Sequence, residues 1–426
     1  MVNKKGQVQC INDEILEKLS LKNRYKFLNY NLMSYLPKEQ LDFLKKAQKF
    51  FIGFEKNNNI THNEDFYEWI PEIGKEGMVT RLNKFEFLDL NYEPYGLTTE
   101  FMRTLASDFF DPQFTMGMGA NILAINPLLA HHEDIEIRLK VLKELVTGQK
   151  NGCICITEPE RGSDAVHMLT TCEEQEDGSF ILNGEKIYQT NGPKADWAII
   201  YAVSEKNTGN TMAQFLVNTS WDGWEVERIN IPWTPRIFIG KETFTNLKIP
   251  PDYVIGKPGK GREYLFEGLN LERLGIVLLN AAEAWNAISH AVIYANMRKQ
   301  FDQEILKYQG VGFPLSDLWA ETMNLTLSTL NVCQMVDKKI EQFGTLPKQF
   351  SLALMATASQ LKSISAKLSE RTAYECANLM GGAGVCDNTL MQDLLGITRI
   401  QEIGGGTRQI QQYIMSLTLR QLFKLL

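Results

Sequence analysis

The sequence predicts an α+β protein in which a helical region is followed by an all-β region and then by helices again. Three observations predict it. The stretch "PKEQLDFLKKAQKFFIGFEK" carries Leu41, Leu44, Ala47 and Phe51 at three-to-four spacing, and "IRLKVLKELVTGQ" repeats that habit, so the chain from about Pro37 to Gln149 reads as helix. Between Asn151 and about Pro250 the texture changes to short runs, "CICIT", "SFILNG", "WAIIYAV" and "AQFLVN", bounded by Gly, Asn, Asp and Pro as the strands of a barrel or sandwich are. From Gly261 long helical patterns return, broken by "LPKQ", "GGAG" and "GGGT". At 426 residues the chain is too long for one ordinary core. We expect an N-terminal extension over residues 1–36, a helical domain over 37–150, a middle β domain over 151–260 and a C-terminal helical domain over 261–426.

Composition narrows the function. With 44% hydrophobic residues and a net charge of -7, the chain reads as soluble and globular, and no basic stripe invites nucleic acid or anionic membrane. The longest apolar stretch, Leu274 to Ala295, is interrupted by Asn280, Glu283, Asn286 and His290, which suits a buried helix and no membrane span. The N-terminus lacks an apolar core of signal length and carries Asp13, Glu14 and Glu17 early, so we expect a cytoplasmic protein. Seven cysteines form no C-x-x-C pair; Cys153 and Cys155 lie two apart on an expected strand, facing one side as core. Five histidines show no metal spacing, and no metal is expected. Dinucleotide-fold, P-loop and nucleophile-elbow signatures are missing.

Four stretches carry candidate chemistry. "CICITEPERGSD" runs a strand into Thr157 and a polar turn; it offers a hydroxyl and amides to the edge of a heteroaromatic ring, or is a solvated turn. "LNGEKIYQTNGPKADW" reads as a hairpin turn at Asn183-Gly184 followed by a strand with Lys186, Tyr188 and Thr190 on one face. There an aromatic ring lies along a flat cofactor, or packs against a neighbouring strand. In "YLFEGLNLERLGIVLL", Glu272 sits on an apolar helical stripe among Gly268, Leu269, Gly275, Ile276 and Leu279. Desolvation there raises a carboxylate toward the pKa that a base abstracting a carbon-bound proton requires; the alternative is an ion pair with Arg273 or another cation. Finally, Gly404, Gly405 and Gly406 precede a helix with Thr407 at its cap position. Such a run lets backbone N–H groups approach an anion or polarised oxygen, or simply makes a turn.

In order, TEPERGSD, LNGEKIYQTNG, "IPPDYVIGKPGKG" ahead of "LNLERL", "MRKQFDQEILKYQG", "LMGGAG" and "IGGGTRQIQ" resemble the acyl-CoA dehydrogenase family from about Pro37 to the end of the chain. The resemblance implies the family's three-domain fold, with a C-terminal four-helix bundle, FAD held between the β domain and the C-terminal helices, and a homotetramer or homodimer. It implies that Ile156, Thr157 and Ser163 contact flavin, with Ser163 also on the acyl-CoA. Tyr188 takes the place of a tryptophan against the flavin, and Thr190 bonds it near N5. Arg298, Phe301 and Gln309, with Asn378, Gly381 and Gly382, reach the FAD of a neighbouring subunit, and Thr407 and Gln409 close the site. Asn270, Arg273 and Gly404 join the substrate contacts.

Many members carry their catalytic glutamate just before the final Gly-Thr of the glycine loop, where this chain has Gly405. Others, of isovaleryl and long-chain type, carry it on the earlier helix in the E-R-L context that "LNLERL" reproduces. The resemblance therefore makes Glu272 the base and leaves the Gly405 N–H for the substrate carbonyl. The implied reaction is FAD-dependent α,β-dehydrogenation of an acyl-CoA to a 2-enoyl-CoA, with an electron-transferring flavoprotein as acceptor. Departures from the pattern, at Gly396-Ile397, Asn378 and Tyr188 and in the longer N-terminus, keep alternatives in view: an acyl group on a carrier protein, an oxidase, or a non-redox binding protein of the same fold.

Overall fold

The computed structural model describes residues 11–58, 60, 65–85, 93–206, 209–344, 346–386 and 389–424. The first ten residues of the expected extension lie outside them. Helices open the chain: α1 (Asp13–Lys18), α2 (Leu21–Leu32), α3 (Lys38–Asn57), α4 (Ile70–Lys75), α5 (Leu97–Phe110), α6 (Pro112–His131) and α7 (Ile135–Val146). Strands follow: β1 (Gly152–Cys155), β2 (Thr171–Glu174), β3 (Phe180–Thr190), β4 (Trp197–Val203), β5 (Met212–Asn218), β6 (Trp224–Ile229), β7 (Ile239–Ile249) and β8 (Val254–Ile255). Then come α8 (Gly261–Met297), the small hairpin β9 (Lys299–Gln300) and β10 (Gln303–Glu304), α9 (Gln309–Phe343), α10 (Lys348–Met380), α11 (Met391–Ile403) and α12 (Arg408–Phe423). Helix, strand and helix thus succeed one another as the sequence periodicities predict.

The chain divides into two compact units. One comprises Met1–His62, Pro94–Thr115 and Arg273–Leu426; the other comprises Asn63–Glu93 and Met116–Glu272. In the second, which we call the β unit, the sheet runs β6-β7-β3-β2-β4-β5-β8, with β1 parallel to β4 at its side. Every residue of β4 is buried, because both faces of that strand are covered. Trp197, Ile199, Tyr201 and Val203 face Ala124, Leu128, Leu142 and Leu145 of α6 and α7, while Ala198, Ile200 and Ala202 face Cys153, Cys155, Phe180, Leu182 and Phe244. The two cysteines share the core side as expected, Sγ to Sγ at 3.9 Å. Truncating Ile199 to alanine in such a core costs about 2–5 kcal/mol.

Two local expectations for β3 are corrected. Asn183-Gly184 is not a hairpin turn: β3 runs through it as an irregularity, with Gly184 at φ +147° where a Cβ would sit 2.7 Å from Thr170, and the turn before β3 falls at Gly178 (φ +78°). Nor do Lys186, Tyr188 and Thr190 share one face. A second shift between Ile187 and Gln189 puts Tyr188 at φ 68°, so Lys186 turns inward, fully buried, while Tyr188 stands 61% exposed.

In the helical unit the apolar stretch of α8 is an interior helix, with Leu274, Val277, Leu278, Ala281, Trp285 and Ile288 all buried. Trp285 Nε1 donates to Thr326 Oγ1 of α9 at 2.8 Å, and Asn280 Nδ2 to Ser365 Oγ of α10 at 2.9 Å. The expected extension is helical where it is described: Ile11, Ile15 and Leu19 pack with Ala287, Ile288 and Cys376. Arg24 donates to Phe109 O at 2.7 Å and Asn286 Oδ1 at 2.8 Å.

Candidate active site

The β unit gathers one group of the expected residues. β1 ends at Cys155, and the chain continues extended through Ile156 and Thr157 because β3 receives it: Ile187 N donates to Thr157 O at 2.9 Å, and Gln189 Nε2 to the same oxygen at 3.1 Å. The turn that follows is anchored by a buried ion pair. Lys186 Nζ lies 3.0 Å from Glu158 Oε1 and also donates to Ile156 O at 3.0 Å, while Glu158 accepts from Leu169 N at 2.6 Å and Thr170 N at 2.9 Å. Burial alone works to raise the Glu158 carboxyl, but the Lys186 ammonium and these N–H groups outweigh it and hold it below its usual value. Ser163 stays on the exposed part of this turn.

Thr190 ends β3, half-buried, and Asn191 behind it is fully buried at φ 71°, a left-handed conformation asparagine tolerates. Its Nδ2 donates to Gly117 O at 2.8 Å and Gly152 O at 3.3 Å, fixing the strand end. Tyr188 and Thr190 are therefore presented by a bulge and an asparagine lock, and not by simple alternation.

Glu272 is half-buried and lines a cavity of about 80 Å³ within the β unit. Its walls come from α6 (Asn126, His131), the β1 region (Ile154, Ile156), Tyr201 of β4 and the face of α8 that includes Gly268. The cavity brings together Glu272 and Ile156 of the expected residues. Asn270, also half-buried on α8, is not on its wall. Sequence reasoning missed Tyr201, His131 and the Glu158–Lys186 pair. A tyrosine amid the apolar run "WAIIYAV" was the available signal for the first.

The helical unit holds the other group. Arg273 is buried. Arg298 is exposed ahead of the β9–β10 hairpin, whose turn residues Phe301 and Asp302 both adopt left-handed φ, 49° and 66°, leaving the Phe301 ring 89% exposed. Gln309 begins α9 and Asn378 lies near the end of α10, both exposed. Gly381 (φ 61°) and Gly382 follow with open space where a Cβ would be. In the glycine loop, Gly405 and Gly406 take φ 63° and 90°. Lys362 Nζ donates to Gly406 O at 2.8 Å and Glu402 O at 3.1 Å; Gln411 Nε2 donates to Gly405 O at 3.1 Å and Gly406 O at 2.8 Å. The loop's carbonyls are thus held from within by side chains. Gly404 and Thr407 are half-buried, and Gln409 is exposed. Thr407 stands at the N-cap of α12, but its side chain makes no capping bond. Among the described residues no cluster of three or more His, Cys, Asp or Glu is placed to hold a metal.

Residues 153–236 match the acyl-CoA dehydrogenase middle domain and residues 259–419 its C-terminal domain. The chain belongs to the acyl-CoA dehydrogenase family. An acyl-CoA dehydrogenase of Bacillus subtilis is 28% identical over 296 residues, 68% of this chain and 74% of the relative. The mitochondrial isovaleryl-CoA dehydrogenase of Arabidopsis thaliana is 24% identical over 90% of this chain and 91% of its own length. Among solved structures, the butyryl-CoA dehydrogenase of Megasphaera elsdenii superposes with a TM-score of 0.78 at 24% identity, covering 90% of this chain and 98% of that one. The FAD complex of a Bacillus anthracis acyl-CoA dehydrogenase gives 0.80 at 21%, covering 92% and 68%.

Proposed function

We propose that this acyl-CoA dehydrogenase family member removes the elements of H₂ from the α and β carbons of an acyl-CoA, with Glu272 as the α-proton base. The carrying observation is the half-buried Glu272 carboxylate on the wall of a mainly apolar cavity. A thioester α-proton is only moderately acidic, so its removal needs a base that is desolvated and aimed, together with hydrogen bonds for the developing enolate oxygen. The glycine loop suits the second task. Its carbonyls are engaged by Lys362 and Gln411, and the positive φ of Gly405 and Gly406 is a backbone form in which N–H groups turn toward an oxygen.

The residues present fit FAD. The Tyr188 ring is exposed on a left-handed bulge, Gly381 and Gly382 leave open space, and among the described residues the hydroxyls of Thr157, Ser163 and Thr190 make no hydrogen bond within the protein. Thr157, Ser163, Tyr188 and Thr190 would hold the cofactor from the β unit. FAD, when bound, supplies a hydride acceptor for the substrate β carbon. Arg298, Phe301, Gln309, Asn378, Gly381 and Gly382 are offered to a neighbouring copy, a role supported by the exposed Phe301 ring and by apolar exposure at Tyr374, Leu419 and Phe423. We assign electron-transferring flavoprotein as the acceptor; a 28% identical relative from Acetobacterium woodii is named as a subunit of a caffeyl-CoA reductase-Etf complex.

The test is anaerobic reduction of the flavin by a panel of straight, branched, aromatic and dicarboxylic acyl-CoAs. Bleaching by one class supports the reading and names the acyl group. A flavin that none of them reduces counts against it.

A further inference from the structure

The cavity beside Glu272 carries a second polar group that the proposed chemistry leaves unused. Tyr201 lies on the doubly covered strand β4 and is 1% exposed. A buried tyrosine hydroxyl needs partners. Gln214, paired with Tyr201 in the β4–β5 register, donates its Nε2 to Tyr201 Oη at 2.6 Å, so the oxygen is an acceptor, and among the described residues no hydrogen bond takes its own proton. On the α8 side, a Cβ built at Gly268 would lie 4.0 Å from Tyr201 Oη. Glu272 is one helical turn beyond Gly268 on the same face, and helical side chains lean back toward the N-terminus, which brings its carboxylate toward the hydroxyl. Tyr201, Gly268 and Glu272 all line the one cavity.

We propose that Tyr201 is the positioning residue of Glu272: its hydroxyl faces the carboxylate across the cavity, stabilises the charged form, and keeps the base deprotonated and aimed. The assignment rests on the reading of Glu272 as the base. Burial first, and then the charge of Glu272, push the Tyr201 phenol well above its usual value, so it stays a protonated donor. The other titratable groups on the wall are His131 from α6 and Tyr264 and Glu267 from α8, while the β1 region contributes only Ile154 and Ile156. His131 Nε2 lies 3.0 Å from Glu267 Oε2 and its ring stacks on Tyr264 at 3.9 Å, so these three are engaged with one another.

The experiment is an infrared titration of the full-length protein, following the carboxyl band that Glu272→Gln removes. Tyr201→Phe is expected to raise the midpoint of that band by about one pH unit, the loss of a phenol dipole beside a charged group. The acid limb of flavin reduction should move the same way, and His131→Asn should leave the midpoint in place. If Tyr201→Phe folds poorly because Gln214 is left buried, Tyr201→Phe/Gln214→Leu removes both polar atoms and is expected to give the same rise. No rise in a folded variant, or an equal rise in His131→Asn, overturns the role of Tyr201. A Glu272→Gln protein that still reduces its flavin overturns the base assignment instead, so the two failures are told apart.

Discussion

Two buried carboxylates of the β unit, Glu158 and Glu242, face opposite electrostatic fates although both are withdrawn from water. Glu158 meets Lys186 and two backbone N–H groups and is held below its usual pKa. Glu242, on β7 opposite Lys186 of β3, is fully buried with no partner for either oxygen among the described residues, and burial pushes it up to about 8. Its carboxylate lies in a space left by two glycines: a Cβ at Gly192 or Gly240 would come 1.9 or 2.0 Å from Oε1. Burial sets the penalty, and the partners decide whether the group keeps its charge. A base in a cavity needs a point between these extremes, desolvated enough to bind a proton and solvated enough to release it, which is the balance we assign to Tyr201 and Glu272.

The largest effect expected from this comparison comes from Lys186→Met. It strands Glu158 in the interior and should destabilise the protein by about 3–5 kcal/mol in chemical denaturation, because a buried charge loses its ion partner. The turn carrying Thr157 and Ser163 should loosen with it, weakening FAD retention.

Glu242→Gln tests the other pole. The folded carboxyl binds its proton more tightly than the unfolded one, so its contribution to stability is complete below pH ~4.5 and is lost as pH rises through the folded value, about 8. Stability of the wild type should therefore fall across that window. Denaturation at a series of pH values should show the fall flattened in Glu242→Gln, with the variant ahead by roughly 2–4 kcal/mol at pH 8. Equal slopes would show that Glu242 is hydrated in solution.

The smallest effect sits on the outer face of the same two strands. Lys241 Nζ lies 3.0 Å from Glu185 Oε1, with 34% and 44% of the side chains exposed. Lys241→Gln should change stability by about 0.5 kcal/mol or less, since water already screens both charges. A cost similar to that of Lys186→Met would remove burial as the deciding variable.

Much of this was legible in the sequence, for reasons that can be stated. Helical spacing and short bounded apolar runs report which faces are buried, so the helix, strand and helix order and the inward side of Cys153 and Cys155 follow from local pattern. The resemblance marked Glu272 on the E-R-L helix, and its apolar stripe agreed. The irregularities of β3 were not legible, because they are set by what β7 and Thr170 leave room for, and a bulge changes the face of every residue beyond it. For that reason Lys186 and Tyr188 were read onto one face, and Asn183-Gly184 as a turn. Tyr201 was hidden for a related reason: its meaning comes from Gln214 on one neighbouring strand and Gly268 on a distant helix, and neither is near it in sequence. The shape of the loop before Thr407 is partly tertiary as well, since Lys362 of α10 holds the carbonyls of Glu402 and Gly406.

The most direct test of the central claim is single-turnover flavin reduction by Glu272→Gln, with the acyl-CoA that bleaches the wild type. We expect a folded, yellow protein that binds the thioester and reduces its flavin at least 10³-fold more slowly, a loss of roughly 4 kcal/mol of transition-state stabilisation. Reduction at near wild-type rate would contradict the account and place the base elsewhere in the chain.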